Sequence, residues 1–394
     1  MGGNGVGAAR GKRFQIGTGD RARGRSFVGF VHKPHYRMRK WSVGLTKTVS
    51  ADRANARRGD DPMTRFADRA PLRTAWYPVA ESTDVTDKPH ATRLLGENLV
   101  LWRSQNGDLI AAPDECPHRQ APLSIGTYNE GEITCAYHGW TFGERGQCVL
   151  VPSSGPGAPI PPTAHLNCRN VQERYGLVWV CPGEPAVAIP RIPQDEDPAF
   201  RRLNSGVETW KVSTPRLVDN FMDFSHFPWV HTGTFGLGQD PLIPKLNLQQ
   251  LDEDFYGYIY EVYAANPDEA TAVSGSEEDV VHRVMTTGFA LPFMVRSTIR
   301  YDDGLEHILL LVSTPRDDLE STFTFVVWRN DDHSVDPEEI IAFDRAIGAE
   351  DKAMLEQVPG TLPLTRTGVV NVQSDKPSVE WRRRFAEFIQ LEVS

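Results

Sequence analysis

The chain has 394 residues, of which 40% are apolar and 24% are charged, and its formal net charge is −10. This composition suits a globular protein long enough to form two domains, and it excludes a fibrous or low-complexity chain. No uninterrupted run of eighteen apolar residues and no secretory signal pattern is present, so we predict a cytoplasmic protein that binds no membrane. The five cysteines are an odd number, which argues against a disulfide framework.

The first 62 residues differ in charge from the rest of the chain. They contain fourteen Lys or Arg and only four Asp, and they show neither helical nor strand periodicity. We predict a disordered basic leader over 1–62, with the folded protein beginning near Met63. A basic arm for nucleic acid or membranes and an organelle transit peptide are the alternatives. We favour a dispensable extension with no nucleic-acid partner.

Short alternating apolar runs separated by turn signals follow up to about residue 182. In "ATRLLGENLVLWRSQNGDLIAAP", for example, Asn106-Gly107 is typical of a tight hairpin turn. This pattern predicts a small all-β domain over 63–190. The segment "IPRIPQDEDPAF" is rich in proline and acidic residues and is interpreted as a linker to a second domain, over 191–394.

The second domain shows helical and strand patterns together. The segment "TPRLVDNFMDFSHFPWVH" is predicted to be one helix, and residues 251–330 contain several strand-like runs. A further helix is predicted in "SVDPEEIIAFDRAIGAEDKAMLEQV", with Asp336 as the N-cap and Glu339 completing a capping box. We therefore predict an α+β catalytic domain in which helices flank an antiparallel sheet.

Two Cys-His pairs lie on loops of the first domain, in the pattern Cys116-x-His118 and Cys135-x-x-His138. Thiolates and imidazoles can hold a tetrahedral zinc ion, or a 2Fe-2S cluster in which two imidazoles bind one of the irons. Zinc fingers pair Cys with Cys and His with His, so this spacing favours the iron-sulfur cluster. Replacing two thiolates by neutral imidazoles raises the cluster potential into the range of about −150 to +300 mV.

A second group of candidate ligands lies in the predicted helix of the second domain. Asp219, Asp223 and His226 are spaced as one polar stripe on an otherwise apolar helix, and His231 follows five residues after His226. The alternative interpretation is a solvated polar face. Two imidazoles and one carboxylate on one face are the ligand set of a non-haem iron site with open positions for dioxygen.

The carboxylate of such a site is sought on the last predicted helix. Asp351 falls on its apolar stripe, where an aspartate is costly unless it is paired or binds metal. Asp344 lies on the same stripe and is a rival, and Asp219 is a second rival because it is close to the histidines in sequence. Glu350 and Glu356 fall off the stripe.

The segments "CPHR" and "CAYHGW" resemble the Rieske domain of the Rieske non-haem iron aromatic ring-hydroxylating oxygenases, and the resemblance covers most of residues 70–375. It implies that Cys116 and Cys135 bind one iron of a Rieske 2Fe-2S cluster and that His118 and His138 bind the other. The residues Arg119, Tyr137 and Trp140 match positions beside that cluster. The segments "VDNFMDFSHFPWVH" and "EDKAMLEQ" resemble the family's mononuclear-iron motifs, which implies Fe(II) held by His226, His231 and Asp351.

The resemblance also implies an assembly. Asp223 matches the catalytic aspartate that links the Rieske centre of one subunit to the iron of its neighbour, so electrons would pass through His138, Asp223 and His226 in a head-to-tail homotrimer. A carboxylate between two metal-bound imidazoles could fix the orientation of both rings.

The implied function is that of a terminal oxygenase (alpha) subunit, which uses dioxygen and NAD(P)H electrons delivered by a ferredoxin, a flavin reductase or both. The Asp219-Asn220 pair is more similar to the vanillate O-demethylase and pheophorbide a oxygenase branch than to naphthalene-type dioxygenases. We therefore expect monooxygenation, by hydroxylation or by O- or N-demethylation, of an aromatic or heterocyclic substrate in catabolism. Ring dihydroxylation, including the carbazole-type angular reaction, is the alternative within the family. A Rieske electron carrier and a zinc-stabilised binding protein are the alternatives outside it.

Overall fold

Short antiparallel strands build the first part of the chain. In this computed structural model, residues 66–155, 157–364 and 368–391 are described, so the predicted leader and Met63 lie outside the described residues. The strands form sheets in the orders β1-β10-β9, β2-β3-β4 and β5-β6-β7-β8. Their bounds are β1 Tyr77–Glu81, β2 His90–Leu94, β3 Glu97–Arg103, β4 Leu109–Pro113, β5 Thr127–Asn129, β6 Glu132–Thr134, β7 Thr141–Phe142, β8 Cys148–Leu150, β9 Asn170–Arg174 and β10 Leu177–Cys181.

The predicted hairpin at Asn106-Gly107 joins β3 to β4. Gly107 has a φ of 88°, a left-handed conformation that glycine adopts without strain. The two Cys-His pairs lie on the β4–β5 connection and on the β6–β7 connection. The small sheets therefore present the two loops from a rigid β framework.

An eight-stranded antiparallel sheet forms the centre of the second part. Its strand order is β11-β18-β17-β16-β15-β14-β13, and β12 also pairs with β18. The bounds are β11 Arg201–Asn204, β12 Glu208–Trp210, β13 Gln249–Gln250, β14 Tyr256–Ala265, β15 Val280–Ala290, β16 Met294–Arg300, β17 Glu306–Pro315 and β18 Ser321–Arg329. The strand-rich character expected for 251–330 is confirmed.

The α-helices of this part are α1 Thr214–Phe221, α2 Phe227–Val230, α3 Thr271–Ser274, α4 Pro337–Leu355 and α5 Lys376–Phe388. The sheet with its few flanking helices confirms the predicted α+β class. None of the helices in the described ranges is both long enough and apolar enough to cross a membrane.

The helix was predicted to continue from Thr214 to about Pro228, and this prediction was wrong. Helix α1 ends at Phe221, and the side chain of Asp223 then accepts hydrogen bonds from the backbone N–H groups of Ser225 and His226. Such local bonds offer the backbone an alternative to the helix. Pro228 then occupies the first turn of α2, where its missing N–H costs little.

Helix α4 begins at the predicted N-cap, since Asp336 accepts a hydrogen bond from the backbone N–H of Glu338. The predicted capping box with Glu339 was wrong, because the Asp336 side chain bonds Glu338 instead of Glu339. Its predicted apolar stripe was wrong at the C-terminal end, where Met354 is 52% exposed. Asp344 and Asp351 are both buried.

One apolar core joins the two parts of the chain. It contains Leu101 and Val180 from the first part, and Val218 and Trp381 from the second. Ile189 and Ile192, at the start of the predicted linker, are buried in a neighbouring cluster. The segment interpreted as a linker is therefore packed at this end rather than free.

Candidate functional site

Two loops of similar shape hold the Cys-His pairs. The backbone C=O of Cys116 accepts from the N–H of Gln120, and the C=O of Cys135 accepts from the N–H of Gly139. Gln120 and Gly139 both have positive φ values, 60° and 71°. Each loop therefore turns tightly just after its cysteine, which brings the following histidine to the same side.

The four side chains differ in exposure. Cys116 and Cys135 are each 2% exposed, whereas the His118 and His138 rings lie nearer the surface with their centroids 4.5 Å apart. The Nδ1 atom of His118 is buried and has no hydrogen-bond partner among the described residues. A buried imidazole nitrogen without a partner suits a metal ligand, since buried polar atoms are otherwise satisfied. The donor set therefore fits a cluster with thiolates inside and imidazoles outside.

A single zinc ion fits these four donors poorly. Tetrahedral zinc requires its donors to lie within about 4 Å of one another. Within the described residues, only one group of three or more candidate ligands has all its donor atoms within 4.8 Å, and that group lies elsewhere. Two irons bridged by sulfide would allow the thiolates and the imidazoles to stay apart.

Aromatic side chains surround the imidazoles. The Trp140 ring stacks on His118 with a centroid distance of 4.6 Å and an interplanar angle of 4°. The Tyr137 ring lies 3.9 Å from that of His138 and is 65% exposed. Trp140 thus fixes the plane of one ring, and Tyr137 forms the outer surface beside the other. Arg119, the third predicted neighbour, is exposed.

The second group of predicted ligands converges at one point. His226 Nε2 and His231 Nε2 are 3.2 Å apart, and each is 3.5 Å from Asp351 Oδ1. Because metal–nitrogen bonds are about 2.0–2.1 Å long, donors on adjacent corners of one ion lie roughly 3–3.5 Å apart. These three side chains form the group whose donor atoms all lie within 4.8 Å. Two imidazoles and one carboxylate are a facial set that leaves other coordination positions free.

Local structure explains how the two histidines meet. His226 immediately precedes the single turn of α2 and His231 immediately follows it, in a non-helical conformation with φ −90° and ψ 40°. The helical stripe expected for Asp223 and His226 does not exist, because both residues follow the end of α1. The break in the helix, rather than its periodicity, aims the rings at Asp351 on α4.

The outer nitrogen of each imidazole meets a carboxylate. His226 Nδ1 is 2.9 Å from Asp223 Oδ2, and His231 Nδ1 is 3.1 Å from Glu350 Oε2. Such partners fix the ring orientation and tautomer of metal-binding histidines. Asn220 Nδ2 in turn donates to Asp351 Oδ1 over 3.0 Å. All three candidate ligands are thus held by a second polar side chain.

The electrostatics of the two rings differ. Burial alone would lower the pKa of His226, but Asp223 and Asp351 raise it to about 9. For His231, burial lowers the pKa below its usual value and favours the neutral ring, the form that binds metals. Burial would raise the pKa of Asp223, but the hydrogen bonds from His226 and Ser225 outweigh burial, so its pKa is low. Asp223 and Asp351 stabilise a positive charge on the His226 ring, and a divalent cation between the two rings could supply that charge in place of the proton.

Glu350 was missed by the sequence interpretation, which placed it off the apolar stripe of α4. Its Oε2 also accepts from the Thr234 hydroxyl over 2.7 Å, and its Oε1 accepts from the backbone N–H of Gly233 over 2.8 Å. Its position next to Asp351 and the Gly-Thr pair after His231 were the available signals.

We expect Glu350→Gln to weaken metal binding at this site by about ten- to hundredfold, because outer partners of ligating histidines have effects of this size. Dialysis of the purified protein against graded chelator, followed by iron analysis, measures the loss. Glu356→Gln, directly after the same helix, is the control, since the Glu356 side chain accepts from the Lys211 backbone N–H instead. Equal iron retention by wild type and Glu350→Gln would contradict this role.

The two rival carboxylates lie elsewhere. Asp344 Oδ2 is 3.1 Å from His307 Nε2, a fully buried ring. Asp219 Oδ1 is 2.9 Å from Arg382 Nε, an ion pair without good hydrogen-bond geometry. Neither belongs to the convergent group.

A largely aromatic cavity opens beside the convergent group. Its non-atom space is about 940 Å³, a volume that includes open solvent at the mouth. The three candidate ligands line it together with seven phenylalanines, namely Phe221, Phe224, Phe227, Phe235, Phe323, Phe325 and Phe343. Residues 232–291 supply only part of its wall.

Comparison with known families assigns both parts of the chain. Residues 75–169 match the Rieske [2Fe-2S] domain, and residues 210–391 match the vanillate O-demethylase oxygenase C-terminal domain. The chain belongs to the Rieske aromatic oxygenase alpha subunits and is therefore an oxidoreductase. The Rieske match supports a [2Fe-2S] cluster as cofactor.

Individual relatives agree with this assignment. The chain is 31% identical over 337 residues to the methylxanthine N1-demethylase NdmA of Pseudomonas putida, which covers 81% of this chain and 90% of the relative. It is 39% identical over 166 residues to the dicamba O-demethylase oxygenase component of Stenotrophomonas maltophilia, covering 41% of this chain and 48% of the relative.

The fold agrees as well. The solved structure of Pseudomonas putida NdmA with caffeine superposes with a TM-score of 0.70 at 28% identity, covering 82% of this chain and 93% of that chain.

Proposed function

We propose that the chain is the terminal oxygenase of a multicomponent system that uses dioxygen to hydroxylate or demethylate an aromatic or heterocyclic substrate. The observation that carries this proposal is the convergence of His226, His231 and Asp351 within 3.5 Å at the wall of an aromatic cavity. A metal that only stabilised the fold would not need a cavity beside its ligands, whereas a catalytic metal needs one for its substrate.

The proposed ligands follow from the geometry and the family together. Cys116 and Cys135 would hold one iron of the Rieske cluster, and His118 and His138 the other. His226, His231 and Asp351 would hold a mononuclear Fe(II). When bound, the cluster supplies single electrons and the mononuclear iron supplies the means to activate dioxygen.

The chain's own side chains orient and enclose this site. Asp223 and Glu350 fix the two imidazoles, and Asn220 holds one oxygen of Asp351. The Phe235 ring stacks on His231 at 5.0 Å and separates it from the deeper pocket wall. The phenylalanine lining favours a flat apolar substrate and excludes water from the reacting region.

The relatives favour demethylation over ring dihydroxylation, since NdmA, which matches 81% of this chain, is an N-demethylase and the dicamba relative is an O-demethylase. Insertion of one oxygen atom into a methyl C–H bond gives a hydroxymethyl group on nitrogen or oxygen. That group collapses to formaldehyde and the demethylated product. Release of formaldehyde therefore identifies both a methylated substrate and a demethylation reaction.

The proposal includes partners. A ferredoxin, a flavin reductase or both would deliver NAD(P)H electrons to the Rieske cluster, where Tyr137 and His138 are exposed to an approaching donor. A homotrimer would place Asp223 of one subunit near the cluster of the next. The proposed domains are 63–190 and 191–394, with 1–62 dispensable.

The test combines oxygen uptake with formaldehyde release. The purified protein, supplied with a compatible reductase and NADH, is presented with pairs of methoxy- or N-methyl-aromatics and their unmethylated counterparts. Formaldehyde in equal amount to oxygen consumed, only with the methylated members, is the expected result. Cis-diol products without formaldehyde would overturn demethylation in favour of dihydroxylation.

A further inference from the structure

One buried cation in the cavity wall has no role in holding the metal ligands. Alternate residues of β15 face inward, and Arg283, Met285 and Thr287 line the cavity. On the neighbouring β16, Ser297 lies opposite Thr287 and Ile299 lies opposite Met285. Arg283 is therefore the next inward-facing residue of β15 beyond Met285 and lies in the same cavity wall.

Arg283 is unusual in having no polar partner. It is 4% exposed, yet within the described ranges its side chain makes no hydrogen bond and no ion pair, and its Nε is a buried donor without an acceptor. By contrast, Arg329, which is 1% exposed, is paired with Asp331 and donates to two backbone carbonyls. A buried guanidinium is costly unless an acceptor meets it.

Neighbouring charges do not neutralise Arg283. Asp331 is shared by Arg201 and Arg329, and Asp344 contacts His307, which in turn contacts Arg329. Both carboxylates of this network are therefore engaged by other groups, and neither forms an ion pair with Arg283.

A second unpartnered donor lies beside it. Tyr301 also lines the cavity, its hydroxyl is buried without a partner among the described residues, and its ring lies 5.5 Å from Arg283 Cζ. The two donors belong to adjacent strands, since Arg283 is in β15 and Tyr301 directly follows β16. Together they offer a guanidinium fork and a hydroxyl to one acceptor.

The distance to the candidate metal site suits a small ring. The Phe235 ring lies 5.0 Å from that of His231 and 5.7 Å from Arg283 Cζ. The guanidinium and a ligand imidazole therefore both lie near the same phenyl ring. A one-ring substrate could reach both ends of this space.

We infer that Arg283, with Tyr301, is the specificity-determining pair that binds the carboxylate of an aromatic acid and so points the opposite end of its ring towards His226, His231 and Asp351. Planar carboxylates match the guanidinium fork with two parallel hydrogen bonds. This inference rests on the proposed function, because it names the substrate class of the same cavity.

Calorimetric titration of the anaerobic holoprotein tests it without turnover. The probes are 4-methoxybenzoate and the neutral 4-methoxybenzamide, with 4-methoxybenzenesulfonate to separate a carboxylate from any anion. We expect the benzoate to bind roughly ten- to hundredfold more tightly than the amide, the range for hydrogen bonds to charged groups. Arg283→Met should erase this preference, and Tyr301→Phe should reduce it by a smaller factor.

The outcomes separate this inference from the proposed function. Equal binding of acid and amide by wild type, undetectable binding of the acid, preference for the sulfonate, or an acid preference retained in Arg283→Met would each overturn it. If Arg283→Met fails to fold, the wild-type comparison and Tyr301→Phe decide the question alone. Formaldehyde release without acid preference would leave only the proposed function standing, and acid preference without formaldehyde would leave only this inference.

Discussion

Asp351→Ala is expected to remove the mononuclear iron and to leave the Rieske cluster intact. Asp351 is the only carboxylate in the convergent group of the described residues, and its Oδ1 lies 3.5 Å from both imidazole Nε2 atoms. Formaldehyde release should fall by more than about a hundredfold, beyond the effect of losing an outer partner. Iron and sulfide analysis, with the visible spectrum of the cluster, measures both parts of this expectation.

Asp344→Ala is the matched control, because it removes a buried carboxylate from the same helix two turns earlier. It leaves His307 Nε2 without its partner and should cost about 1–3 kcal/mol of stability. The mononuclear iron should stay in place. Iron lost from Asp344→Ala and kept in Asp351→Ala would show that the ligand has been misassigned.

Asp223→Ala, loaded with excess ferrous iron to offset weaker binding at His226, is expected to carry both metal centres and to turn over about a hundredfold more slowly with NADH. Asp223 receives hydrogen bonds from the His226 backbone and from Ser225, and it contacts the outer nitrogen of the His226 ring. If it links neighbouring centres, its loss should interrupt electron delivery rather than metal binding. Stopped-flow absorbance, following reoxidation of the reduced cluster with substrate and oxygen present, measures that step.

Asp219→Asn, four residues earlier, is the comparison variant. Asp219 is paired with Arg382, and burial together with nearby carboxylates raises its pKa to about 6 although Arg382 opposes the shift. The reduced cluster of the Asp219→Asn variant should be reoxidised at the wild-type rate. A normal reoxidation rate in Asp223→Ala would exclude the linking role, and loss of iron in that variant would reduce Asp223 to a support for His226.

Much of the fold could be predicted because its signals are local. Alternating apolar residues indicated the strands, Asn106-Gly107 indicated a hairpin, and the Cys-x-His spacing favoured a Rieske cluster over zinc. These predictions concern period and spacing, which the printed sequence carries directly. The family comparisons confirm the Rieske domain and the similarity to the vanillate O-demethylase C-terminal domain, and the solved NdmA structure agrees with the α+β class.

The segment around His226, which was predicted to be helical, shows where local signals mislead. An apolar period continued through Met222 and Phe224, yet hydrogen bonds from Ser225 and His226 to the Asp223 side chain end the helix. A side chain competing with the backbone is not visible in hydrophobic periodicity. The structure nevertheless brings His226, His231 and Asp351 together, although not by the helical stripe that was expected, and their role as metal ligands stays a prediction.

Glu350 and Arg283 could not be found from periodicity, because their importance depends on contacts between distant segments. Glu350 meets His231 and Thr234, more than a hundred residues earlier in the chain. Arg283 stands out only once the strands are paired and its lack of a partner becomes visible. Polar residues of this kind are identified by checking, in the folded structure, which buried donors and acceptors have hydrogen-bond partners.

Metal analysis of the anaerobically purified protein tests the central claim most directly, namely that the chain holds both a Rieske cluster and a separate iron. After incubation with ferrous iron and removal of the excess, we expect about three irons and two acid-labile sulfides per chain, without stoichiometric zinc. The EPR spectrum of the reduced protein should show the Rieske cluster. About two irons and two sulfides with no third iron would indicate an electron carrier, and zinc without sulfide would contradict both metal centres.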